Sequence, residues 1–100
     1  MNQLHVEGEI LKDIITPFIS AADKEQEALF RLELLSRRER EAFLHIVRGN
    51  TTKEIGAAMG IGQRSAENYV SALYAKLGIN TEAGLVRLAI QARLVSPWDD

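Results

Sequence analysis

A chain of 100 residues with 46% hydrophobic and 26% charged side chains has the composition of one small globular unit. The absence of cysteine excludes disulfides and thiolate metal sites, and two histidines, His5 and His45, are too few for a metal cage. No apolar run approaches the roughly 18 residues of a membrane span and no leader pattern opens the chain, so a cytoplasmic protein without a membrane partner is expected.

Residues 1–34 read as an N-terminal extension of one or two helices. Ile10, Leu11, Ile14, Ile15, Phe18 and Ile19 recur at helical spacing, and Thr16-Pro17 marks either a kink or a fresh helix start. A second stripe, Ala28, Leu29 and Leu32, leads into the following helix. This much apolar surface on a short segment needs a cover, either the rest of the chain or the same segment of a second chain. Dimerisation through Ile10 to Ile19 is the expectation.

From residue 35 the punctuation falls at helix ends and no period-two alternation appears, which predicts an all-α fold. Ser36-Arg-Arg-Glu39 is a capping box: the serine accepts from the Glu39 amide while the glutamate reaches back. The helix it opens turns Phe43, Ile46 and Val47 inward and ends at Gly49, which suits a left-handed residue. Thr51-Thr-Lys-Glu54 repeats the capping logic and opens a brief helix with Ile55, Ala58 and Met59 as its buried stripe. Gly56 and Ala57 are small enough for close approach, and Gly60 closes the helix.

Ile61-Gly62-Gln63 then turns the chain into a helix running to about Leu77, with Ala66, Tyr69, Val70, Leu73 and Leu77 at core spacing and Gly78 as its stop. A last helix starts at Asn80 or Thr81 and runs to about Arg93, burying Leu85, Leu88 and Ala89. Ser96-Pro97 prevents its continuation and leaves residues 96–100 as a tail, with Trp98 as a packing residue. Two short helices about the tight turn Gly60-Ile61-Gly62 are the geometry that holds one helix out from a bundle, where it can enter a major groove.

The net charge of −2 opposes nucleic-acid binding only until its distribution is considered. Residues 1–34 hold three bases against seven acids, whereas residues 35–94 hold nine bases against five acids. Phosphate affinity follows local positive charge, so a basic body with acidic ends is compatible with DNA.

The residues Leu35-Ser-Arg-Arg-Glu-Arg-Glu41, Thr52-Lys-Glu-Ile55, Met59-Gly-Ile61, Lys76-Leu-Gly-Ile79, Ala83 and Leu85-Val-Arg-Leu-Ala89 come in an order and spacing that resemble the LuxR/NarL/GerE-type DNA-binding domain. Sigma-factor region four shares the opening and the bihelical unit, but the Lys76-Leu-Gly-Ile79 block and the fourth helix speak against it. The resemblance covers residues 35–95 and implies a four-helix module of a bacterial transcriptional regulator. Its recognition helix, about residues 63–77, would lie in the major groove of double-stranded DNA.

By the same resemblance Thr51, Thr52, Lys53, Gln63, Arg64, Ser65, Glu67, Asn68, Ser71 and Lys76 are the expected DNA-facing residues. Lys53 and Arg64, with the amides that open both helices, suit phosphate contact. Glu67 departs from the family, which commonly has a basic residue there, and Tyr69 stands where a histidine is common. A carboxylate near phosphates is costly, yet Glu accepts from cytosine N4 and Asn pairs with adenine N6 and N7. Two readings therefore stay open: an unusual base preference, or weak binding that relies on a second protomer or a partner.

The family's usual companions, a receiver or a ligand-binding sensor, are expected to be too large for the 34 residues before the module. A homodimer is expected, with RNA polymerase or another regulator as a further partner. The rival is an interaction module that kept the fold and lost DNA binding. No nucleophile with a base, no glycine-rich phosphate cradle and no ligand cluster points to an enzyme or a cofactor.

Overall fold

The computed structural model describes residues 21–95, and every regular element among them is a helix. In chain order these are α1 (Ala21–Leu32), α2 (Arg37–Val47), α3 (Thr52–Met59), α4 (Gln63–Leu77) and α5 (Glu82–Gln91). The stripe Ile10, Leu11, Ile14, Ile15, Phe18 and Ile19, the Thr16-Pro17 step and the tail with Trp98 lie outside the described residues.

Local chemistry sets each boundary. Ser36 caps α2, accepting from the Glu39 amide at 3.1 Å, while Glu39 Oε1 accepts from the Ser36 amide at 2.8 Å. Thr51 and Glu54 repeat the exchange at α3, at 3.2 and 2.8 Å. Of the two expected caps for α5, Thr81 is the one used: its hydroxyl accepts from the Gly84 amide. Gly60 and Gly78 close α3 and α4 at φ +71° and +65°, a region that costs other residues a Cβ clash. Helix α5 stops at Gln91, two residues short of the expected end, because Arg93 adopts φ +58° and breaks the helical path.

The core is one cluster in which Phe43, Ile55, Leu73, Leu85 and Leu88 are fully buried, so α2, α3, α4 and α5 each contribute a central side chain. Helix α4 is laid against both α2 and α3, and α5 packs on α2 and α1. Ala28 and Leu32 of α1 join the same cluster, so the stripe ahead of the module covers the module's own core. Phe30 and Leu34 remain exposed beside it.

Two inward faces differ from expectation. In α3 the buried residues are Ile55, Gly56 and Met59, while Ala57 and Ala58 face solvent. The reason is the corner itself: Gly56 sits directly under the Ile61–Gly62 turn, whose Ile61 amide donates to the Gly56 carbonyl at 2.9 Å, and this centres the face one residue away from Ala58. Val47, Tyr69 and Val70 are only half-buried and line the cluster's edge.

Candidate nucleic-acid interface

Helix α4 has two faces of opposite character. Ala66, Leu73 and Leu77 are buried, with Tyr69, Val70 and Tyr74 half-buried beside them. Arg64, Glu67, Asn68 and Ser71, at intervals of three and four residues, are exposed on the other side, and Gln63 and Ser65 are exposed at its start. The seven-residue reach from Arg64 to Ser71 spans about 10 Å of axis, comparable with the width of a major groove.

The polar face carries an internal hydrogen bond. Gln63 Nε2 donates to Glu67 Oε1 at 3.3 Å across one turn, which orients the carboxylate along the helix. The start of α4 is open in another way: its N-cap, Gly62, carries no side-chain acceptor for the amides of Gln63, Arg64 and Ser65. Such unsatisfied donors at the positive end of a helix suit an anion.

Helix α3 presents a different surface. Lys53 is exposed at its first turn, Thr52 is half-buried, and Thr51 is exposed as the N-cap. The capping box already engages the Thr51 and Glu54 amides, so the helix opening offers fewer free donors than that of α4. The Thr51 amide holds the Glu54 carboxyl below its usual range, and that side chain stays a charged neighbour of Lys53.

Several cations that sequence counting assigns to a basic body are engaged inside the molecule. Arg38 bonds Glu41 and the Met59 carbonyl, both at 2.9 Å. Lys76, expected on the DNA face, donates to Glu39 Oε1 at 2.7 Å and ties α4 to α2. This ammonium, together with the Ser36 amide, holds the Glu39 carboxyl below the ordinary glutamate range. Arg31, from the acidic leading segment, is engaged likewise and donates to the Leu77 carbonyl at 2.7 Å. The expected positions Thr51, Thr52, Lys53, Gln63, Arg64, Ser65, Glu67, Asn68 and Ser71 thus fall on the cap and first turn of α3 and the first nine residues of α4, and Lys76 falls at the opposite end of α4.

Sequence reasoning missed the roles of Arg31, Arg38 and Glu39 in supporting this surface. Only Glu39 had a signal, as the third residue of a capping box; contacts 21 to 46 residues apart leave none in a single sequence.

No helix among the described residues is long and apolar enough to cross a membrane. Comparison with solved structures finds full-length FixJ from B. japonicum, at a TM-score of 0.69 and 27% identity over 92% of this chain and 47% of that one. Among curated proteins, the transcriptional regulatory protein MctR of Rhizobium johnstonii is 44% identical over 62 residues, covering 62% of this chain and 29% of MctR. The probable transcriptional regulatory protein NarL of Mycobacterium tuberculosis is 30% identical over 87 residues, covering 84% of this chain and 40% of NarL. The chain thus spans about a third of the length of such relatives. The family model for bacterial regulatory proteins of the luxR family matches residues 33–89, more than half of the sequence, and the chain belongs to that family.

Proposed function

We propose that this chain binds double-stranded DNA sequence-specifically in transcriptional regulation, with α4 in the major groove and α3 crossing the backbone. One observation carries the reading: Arg64, Glu67, Asn68 and Ser71 share an exposed face of a helix whose opposite face is sealed in the core. Arg64, Lys53 and the open amides of Gln63 to Ser65 grip phosphates. Asn68 pairs with adenine, and Glu67, steadied by Gln63, accepts from the cytosine amino group. Lys76 serves as a tie to Glu39 and not as a groove contact.

The protein acts as a homodimer, paired through the apolar stripe of its leading segment, so that two copies of α4 meet two half-sites. Phe30 and Leu34, exposed apolar side chains on and just after α1, support this. The carboxylate of Glu67 favours a second reading, in which the same face contacts a protein.

A titration of labelled duplex DNA across a salt series separates the two. The DNA reading predicts binding that weakens linearly on logarithmic axes, and Lys53→Ala lowers the slope by about one unit. An undiminished slope would remove Lys53 from the interface. No binding at low salt would favour a protein partner.

A further inference from the structure

The C-terminal end of α4 is held at two adjacent residues. Lys76 Nζ reaches Glu39 on α2 at 2.7 Å, and the carbonyl of Leu77, the last residue of α4, accepts from Arg31 Nη2 on α1 at 2.7 Å. A helix leaves its final carbonyls without intrahelical partners. The local closure does not engage that of Leu77, since the Gly78 amide donates to Ala75 and Tyr74 and the Ile79 amide to Tyr74. Arg31 therefore fills a vacant acceptor with a charged donor, at the negative end of the helix dipole.

Arg31 lies outside residues 33–89, the part that matches the family. Its helix is nonetheless seated. Ala28 and Leu32 are buried in the shared core, and Glu25 Oε2 stands 3.4 Å from Arg93 Nε, just past the end of α5. Helix α1 thus bears on the ends of both α4 and α5. Arg38 makes the parallel contact at the end of α3, on the Met59 carbonyl, but from within the matched segment.

We infer that Arg31 is a positioning residue for the base-reading face, and that through it α1 sets the pitch of α4. This rests on the DNA-binding reading above. Leverage makes the contact consequential. Asn68 lies nine residues from Leu77, about 14 Å along the axis, so a tilt of about 5° at the held end displaces Asn68 by about 1 Å. A displacement of that size spoils a paired hydrogen bond to a base edge. The long side chains of Lys53, on α3, and Arg64 follow their phosphates through such a shift, so phosphate binding loses less than base reading.

The experiment compares the 100-residue wild type with Arg31→Ala, Arg31→Lys and Leu88→Val, the last a core variant that lowers stability while keeping Arg31 and α4's polar face. For each, affinity is measured for a duplex selected by the wild type and for a scrambled duplex, alongside residual dipolar couplings of the α4 amides without DNA. Arg31→Ala is expected to lower the selected-to-scrambled ratio about tenfold, to leave scrambled binding within about twofold, and to rotate α4 against α2. Arg31→Lys, still able to donate to the carbonyl, restores most of the ratio. Leu88→Val leaves ratio and couplings unchanged.

Unchanged α4 couplings in Arg31→Ala overturn the inference whatever DNA does, as does a parallel fall in both affinities. A wild type that prefers no duplex overturns the DNA reading instead, and is told apart because the couplings are read without DNA.

Discussion

At Gly56 a methyl group built on the backbone would stand 2.9 Å from the Ile61 carbonyl and 3.3 Å from that of Gly62. Both obstacles are main chain, so no side-chain rotation relieves them. Alanine would gain up to about 1 kcal/mol in helix propensity. Overpacking costs about 1–3 kcal/mol and here forces the α3–α4 corner apart, so the clash is the larger effect. Gly56→Ala should therefore lower stability by about 1–2 kcal/mol in urea unfolding. A variant as stable as wild type would show that the corner yields freely. The smallness of Gly56 was legible in the sequence, whereas its partner carbonyls were not, because a residue pattern does not say which backbone passes over it. The same limit applies to Ala58: a spacing of three from Ile55 looks inward until the turn over Gly56 shifts the face.

Capping carries most of what the sequence revealed about the elements. Ser36 with Glu39, Thr51 with Glu54, and the glycines after α3 and α4 all occupy the places that a reading of helix starts and stops assigns. These signals are local, and local chemistry decides them. Replacing Ser36 with alanine should cost about 1 kcal/mol of stability, seen as a lower urea midpoint, and an unaltered midpoint would deny the cap its role.

Glu39 extends the same box into tertiary structure. Lys76 and the Ser36 amide hold its carboxyl below the ordinary range, so the folded form binds a proton less readily than the unfolded chain. Its contribution is complete above the ordinary glutamate range and is lost as pH falls through the depressed folded value. Wild type should therefore lose more stability between about pH 6 and about pH 3 than Glu39→Gln does. Equal losses would mean that the Lys76 tie contributes nothing measurable.

For the molecule as a whole, the charge division read from the sequence needs a structural filter. Arg38, Lys76 and Arg93, three of the nine bases in residues 35–94, face carboxylates within the fold, so a bare count of nine overstates the free cations a duplex would meet. The acidic leader is divided too: α1 supplies Ala28 and Leu32 to the core, and the stripe from Ile10 to Ile19 lies outside the described residues. Sedimentation at micromolar concentration should show a dimer that Ile14→Asp with Phe18→Asp converts to monomer. A wild-type monomer would contradict the assignment of that stripe.

The central claim is that the N-terminal half of α4 reads bases, and selection of bound duplexes from a random library by wild type, Glu67→Ala and Asn68→Ala tests it most directly. An enriched two-fold-symmetric site is expected, with preference relaxed at a different base pair in each variant. A library that returns no enriched sequence, or an identical preference from all three proteins, would contradict it.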